Sequence, residues 1–591
     1  MVKRLLVTTA LEETWGHDEP ILFLGEWCKR YSRKDYWGKI NSETVPYHWD
    51  SAEKMHKDYI YLQEVYEVLL KDLSKYLNLT HGVKHSLSYW RILIGPWLVS
   101  FIHILFDRLA MLKIAFNDYD IDACKVYSQN VEDFIPNDIG SYAAFTSSDK
   151  WNEFIYGQLL TECFDINIEF FSQEFETQPL HDETLHEKFK GSKSWRKSGK
   201  ALLYNIFLKV SEHFVKDDEH FFISSYLPLF LDLKLQYKLG QFPKIWRAIL
   251  PKNNGVDLMH RQHEITKTTD KFINLAHKMA LIHMPVVYLE GYEALREETQ
   301  SLPWPKKPKT IFTSISFYAD DVFKAWAAQK CSSGSMLIIG QHGGAYSSAP
   351  WSVLEDHQIS IADKWLSWGY GNNKYPNVIP MFNFKTAKKK VRCNPEGDAL
   401  LVELSNWRYC TQMLAMPISS QLLSYFDDQR LFVETLPKEI QKHLQIRCHV
   451  QNSWDEIERW RDDFPTLRVT SSDQESFIMA LQKSRISVST YNSTTFLETL
   501  TWNFPTIIFW DQSFSSIGED AERYFNLLES VGIFHKSPQG AAQKMEEVWG
   551  DIPAWWNSKE VQEVRRVFCA YFSQTTNRPL ERFLEFYNNN S

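Results

Sequence analysis

Short apolar runs, rich in β-branched and aromatic residues, recur along the second half of the chain and alternate with stretches of helical spacing. Residues 310–314, 336–340, 365–368, 400–404, 446–450, 486–490 and 506–510 each predict a strand apolar on both faces, as in a parallel sheet covered by helices. Helical patterns at 319–329, 353–362 and 496–502 lie between them, so the repeating unit is βαβ. The first half opens in the same way, with strands at 4–8 and 21–24. Helical spacing follows at 51–77 and 271–282, and the most apolar segment, 92–106, is ILIGPWLVSFIHILF. That segment is shorter than the roughly 20 residues that span a bilayer. It reads as a buried helix, with shallow contact at a membrane surface as the alternative.

The turns at strand ends carry the candidate chemistry. After the strand at 486–490 come Tyr491, Asn492, Ser493, Thr494 and Thr495, polar residues suited to capping the helix that follows. A helix N-terminus at the carboxyl end of a parallel strand offers free N–H groups and a positive dipole end to a phosphate. Glu498, in the same helix, is placed to accept hydrogen bonds from ribose hydroxyls. Gln341-His342-Gly343-Gly344 ends another strand: the glycines admit close backbone approach, and His342 can donate to a phosphate or act as an acid. Ser405 ends a third. In a doubly wound sheet such ends line one crevice.

In the first half, Glu26 follows a strand and Gly25, and Asp18 lies in the acidic loop before that strand, so both are candidate carboxylates of a facing wall. Arg91, at the head of the apolar helix, is a candidate anion or acceptor contact. Asp118-Tyr119-Asp120 and Asp120-Ile121-Asp122 match a D-x-D metal pattern that is common by chance, and His81 with His85 lacks a third ligand. No metal is expected.

At 591 residues the chain exceeds one core. The Pro- and Lys-rich stretch 301–310 is the candidate linker. The expected organisation is an N-terminal domain over 1–300 with a largely helical insertion at about 117–250, a C-terminal domain over 301–560, and a last helix at 561–591 packing back. Hydrophobic residues at 44% and charged residues at 24% describe an ordinary soluble globular chain. A formal net charge of −9 argues against a nucleic-acid partner. Eight Cys without a C-x-x-C pair give neither a disulfide framework nor a zinc ribbon. The first residues, MVKRLLVTTALEETWG, have too short an apolar run for a secretion signal, which predicts a cytoplasmic protein.

The His-Gly turn and the late S-T-T-x-x-E helix start resemble GT-B glycosyltransferases. The segments TTALEETWG, FLGEWC, HSLSYWRILIGPWL, IGQHGG, IADKWLSWG and YNSTTFLETL…PTIIFW resemble more closely a family of bacterial transferases found with surface-polysaccharide and sugar-acid genes. That family is loosely similar to the β-Kdo transferases, which use CMP-activated ulosonic acids. The resemblance implies an α/β, GT-B-like fold with two Rossmann-like domains facing a cleft. It implies a metal-independent glycosyltransferase without a cofactor, working on a nucleotide sugar and a glycan or glycolipid acceptor, in the cytoplasm or at the inner face of the membrane. In that scheme His342, Gly343, Gly344, Ser405 and Tyr491 to Thr495 hold the donor, Glu498 holds its ribose, and Glu26 or Asp18 is base or nucleophile. A nucleotide-sugar epimerase and a non-catalytic nucleotide-sugar-binding subunit are the alternatives.

Overall fold

The structure is a computed structural model that describes residues 3–16, 19–128, 130–171, 211–262, 268–513 and 515–590. Its α/β class is the one expected, and every strand pair is parallel. Three sheets carry the fold.

The first sheet holds β1 (Arg4–Val7), β2 (Ile21–Phe23), β3 (Ser42–Thr44), β4 (Ile121–Tyr127) and β5 (Asn167–Phe171) in the order β3-β2-β1-β4-β5. Between β3 and β4 run two long helices. In α1 (Ala52–Thr80), Met55, Tyr59, Leu62, Val65, Tyr66 and Leu69 recur at three- and four-residue spacing and are buried. Gly82, at φ +63°, then turns the chain in a conformation that favours glycine. The apolar segment becomes the middle of α2 (Leu87–Asp118), capped by Ser86. This helix is long and apolar enough to cross a bilayer, yet 94% of its most apolar window is buried inside the protein. Between β4 and β5 lies α3 (Asp149–Cys163).

The second sheet orders β6 (Phe221–Ile223), β7 (Thr310–Thr313), β8 (Met336–Gly340), β9 (Lys364–Ser367) and β10 (Val378–Pro380) as β10-β9-β8-β7-β6. Its helices include α4 (Leu229–Lys238) and α6 (Val353–Ile361), while α5 (Lys271–His283), which follows in sequence between β6 and β7, packs on α1 and α2. The Pro-rich stretch expected as a linker leads straight into this sheet. Lys307 and Lys309 donate backbone bonds to Asp217 and Glu219, while Pro308 between them has no N–H to offer. A boundary at residue 300 would therefore cut one sheet in two. The region 117–250, expected as a largely helical insertion, also supplies β4, β5 and β6; its residues 172–210 lie outside the described residues.

The third sheet takes β11 (Asp398–Val402), β12 (Leu444–Cys448), β13 (Arg468–Ser471), β14 (Ser484–Ser489), β15 (Thr506–Phe509) and β16 (Phe534–His535) in the order β13-β12-β11-β14-β15-β16. This is the doubly wound arrangement, with its switch point between β11 and β14. Its helices include α7 (Gln421–Thr435), α8 (Glu456–Asp463) and α9 (Thr494–Thr501). The last helix, α10 (Pro579–Asn590), leaves the third sheet and packs on the second, with Phe583 against Phe312 and Phe384 and Tyr587 against Phe222.

The carboxyl edges of the first and second sheets both meet that of the third. From the first, Asp149 at the head of α3 is gripped by Arg30, by Arg408 from the loop after β11 and by the Tyr409 hydroxyl at 2.6 Å. Ser32 N–H donates to Asp455 at 2.9 Å nearby. From the second, the turn after β8 closes on the turn after β14, where Gly344 N–H donates to Thr494 Oγ1 at 2.8 Å. The Asp149 cluster is buried and charged on both sides, so it locks the two sheets' orientation.

Candidate active site

The turn after β14 forms because Ile486 and Val488 bury their side chains while Thr490 leaves the ladder, giving a hydrogen bond to Val402 O and sharing another with the Tyr425 hydroxyl. Ser493 then caps α9 in extended conformation without a side-chain bond into the helix. No side chain of the cap residue covers the positive end of α9. Thr494 is occupied by Gly344, and the Tyr491 hydroxyl lies 3.3 Å from Thr495 Oγ1.

Gly344 is fixed by proximity. A Cβ there would stand 2.3 Å from the Ser493 carbonyl carbon and 2.6 Å from Thr494 N. At Gly343 it would meet Thr494 Oγ1 at 3.3 Å. The loop continues through Ala345 and Ser347, both at positive φ, which L residues adopt at a cost.

His342 sits at the end of a directed hydrogen-bond chain. Trp365 Nε1 donates to Gln358 Oε1 at 3.1 Å, Gln358 Nε2 donates to the Tyr346 oxygen at 2.7 Å, and that hydroxyl lies 3.1 Å from His342 Nδ1 and 3.4 Å from Nε2. Trp365 can only donate, so the chain's polarity sends the Tyr346 proton to the imidazole. Burial first, and the Lys385 charge second, push His342 down to about 4. It is neutral at pH 7 and keeps one N–H to give.

Glu498 is buried in α9, but its Oε1 is held by Lys385 Nζ at 2.9 Å, so the carboxylate expected on ribose already has a cationic partner. Asn492 is fully buried and accepts from Ser348 Oγ at 3.1 Å. These residues, with His342, Gly343 and Gly344, form one cluster. Ser405 belongs to the neighbouring strand end and donates to Glu456 Oε1 at 2.8 Å.

The first-half candidates are placed otherwise. Glu26 stands at the carboxyl end of β2, where it pairs with Lys29 at 2.8 Å. Asp18 lies outside the described residues. Arg91, expected as an anion contact, instead grips Glu67 of α1 through both terminal nitrogens and lies over the Tyr66 ring. Its spacing on α2 aims it at α1 rather than at a cleft. The D-x-D pattern falls at the amino end of β4, opposite the carboxyl edges. Among the described residues no group of three metal-ligating side chains occurs.

The sequence pattern did not single out several buried carboxyls, Glu153 and Glu403 among them. Glu153 of α3 accepts from Thr8 and Thr9 at 2.7 and 2.8 Å just past β1, and burial pushes it up to about 7. Glu403, just past β11, accepts from Trp460 Nε1 at 3.0 Å, and burial raises it to about 8. Its Oε2 has no hydrogen-bond partner among the described residues, and Glu403 lines a cavity of about 210 Å³ walled also by Tyr31, Phe426 and Arg459. The available signal was a carboxylate embedded among apolar residues, in NEFIYG and LLVELS. A larger cavity, about 1030 Å³, opens between α2, α3 and α5, away from these turns.

Doubly wound parallel sheets meeting edge to edge, with the last helix returning to another sheet, define a GT-B-like α/β protein with an uncapped, glycine-flanked helix start at its switch point. The chain belongs to the LIC12162 family of transferases, whose model matches residues 4–586. No curated protein is a significant match to it. Among solved structures it is similar to an α,α-trehalose-phosphate synthase (UDP-forming) from Burkholderia xenovorans, at 10% identity over 53% of this chain and 80% of that one, TM-score 0.31. It is similar also to Acinetobacter baumannii MurG, at 10% identity over 51% and 78%, TM-score 0.27. The spinosyn rhamnosyltransferase SpnG is 10% identical over 60% and 90%, TM-score 0.29.

Proposed function

We propose that this transferase moves a sugar from a nucleotide donor to a bacterial surface-glycan acceptor, without a metal, and that the donor is a CMP-activated ulosonic acid. The observation that carries the reading is the start of α9, uncapped by its own cap residue and approached so closely by Gly344 that no side chain fits between. A phosphate seated there meets helix N–H groups and the positive dipole end. As the sugar departs, negative charge grows on that phosphate, and donors fixed in advance stabilise it without reorganising. Neutral His342 gives its remaining N–H to the same phosphate, and Lys385 adds a positive charge beside it. The acceptor approaches from the first sheet, where Glu26 at the carboxyl end of β2 is the base that takes its proton. Contact with the inner membrane face belongs to this reading through the lipid-linked character of such acceptors.

The test is transfer itself. The full chain is incubated with CMP-, UDP- and GDP-sugars and a deacylated surface glycan, and products are followed by mass. Transfer from a CMP-ulosonic acid that survives a chelator supports the reading; donor conversion without acceptor would assign an epimerase instead.

A further inference from the structure

Arg447 is the next-to-last residue of β12 and only 7% exposed, yet its side chain makes no hydrogen bond or ion pair among the described residues, and its Nη1 is fully buried without a partner. The strand register gives it an address. Arg447 pairs with Val402 of β11, and Val402 pairs with Ser489 of β14, so the three stand in one row across the sheet. Ser489 pairs in turn with Ile508 of β15, which packs with Phe496 and Leu497 of α9. Arg447 therefore lies on the α9 face, two strands from the helix start, with Tyr491 two residues beyond Ser489. Ser489 Oγ and Asn492 Nδ2, both on fully buried residues, also lack partners.

The groups that act on the guanidinium are Glu475 and Tyr491. Glu475 is already bonded to Lys483, and burial lowers Arg447 from the usual arginine range, a cost that Glu475 and Tyr491 only partly offset. A charge removed from water and left unpaired is among the costliest features a fold can carry. A charge retained under those conditions marks a place where a ligand supplies the opposite sign.

We propose that Arg447, with Tyr491, Ser489 and the start of α9, forms an oxyanion subsite that takes a phosphoryl or carboxylate group of the donor. It rests on the donor reading above and adds to it a charge requirement at a second strand end. The donor must present its anion toward β12 as well as toward α9.

The test compares the full-length protein with Arg447→Met and Arg447→Lys by thermal unfolding and calorimetry. Inorganic phosphate and N-acetylneuraminate probe the two anion sources, CMP carries the phosphoryl group on a nucleoside, and cytidine lacks it. At least one anion should raise the melting temperature of the unaltered protein and not that of Arg447→Met. CMP binding should fall tenfold or more in Arg447→Met and partly return in Arg447→Lys, while any cytidine binding is unchanged. Without ligand, Arg447→Met should melt no lower than the unaltered protein, because it removes an unpaired charge. Equal anion binding by both proteins would overturn the proposal, as would an Arg447→Met variant that melts lower without ligand and loses cytidine and CMP alike. Anion binding that needs Arg447, together with no transfer from any donor, supports the subsite and removes the transferase reading alone.

Discussion

Gly344 carries more of the site than any charged residue, because its contact is backbone to backbone. Gly344→Ala must push the α9 start away by the width of a methyl group, since the Ser493 carbonyl carbon stands only 2.3 Å from where Cβ would lie. Nucleotide binding should fall more than about tenfold, or about 1.4 kcal/mol, while circular dichroism of the variant stays that of the unaltered protein. Arg91→Ala is the control: its partner is Glu67, so donor affinity should be unchanged. Glu403 gives a pH signature. Its carboxyl sits at about 8 in the fold against 4.5 in its ordinary state, so the folded chain binds the extra proton between those values. Its contribution to stability is complete below pH 4.5 and is lost as pH rises through 8, at a slope of about 1.4 kcal/mol per pH unit. Urea unfolding of Glu403→Gln should lose that slope; stability curves parallel to those of the unaltered protein would contradict the assignment.

At the scale of elements, the Asp149 cluster fixes how the first sheet meets the third. Asp149→Asn leaves Arg408 buried and uncompensated, and should cost about 3–5 kcal/mol in urea unfolding. Arg408→Met together with Asp149→Asn should cost less than the two single changes added, because the pair is removed as a unit. The strands that the sequence pattern predicted are those with apolar runs: β8 and β14 stand where Met336–Gly340 and the 486–490 run place them. The runs at 400–404 and 446–450 sit two residues late, because Leu404 stays buried past the last ladder bond and Val450 continues the apolar pattern beyond β12. β3 (Ser42–Thr44) and β13 (Arg468–Ser471) are edge strands with polar residues, so no periodicity announced them. In the site, His342, Gly343, Gly344 and the 491–495 turn were legible because turn chemistry is local. The partners of Glu498 and Arg91 were not, since Lys385 and Glu67 reach them only through the fold, and the burial of Arg447 near Tyr491 likewise follows only from the strand register.

For the whole molecule, three sheets divide the labour. The second sheet supplies the His342 turn, the third supplies the α9 start, and the first brings Glu26 to the adjoining edge. The third sheet was readable as one unit, whereas β6 and β7 are separated by α4, α5 and the Pro-rich stretch, and only the register Phe222 to Phe312 reveals that they are neighbours. A transfer that relies on helix dipole, Lys385 and His342 in place of a cation should proceed at the same rate after exhaustive EDTA treatment; loss of the rate and its return with Mg²⁺ or Mn²⁺ would contradict it. The most direct check of the donor site itself is calorimetric titration of the full chain and of Gly344→Ala with CMP, UDP and GDP. One nucleotide should bind the unaltered protein and bind Gly344→Ala at least tenfold more weakly; heat from none of the three, or equal affinity in both proteins, would contradict a nucleotide site at the start of α9.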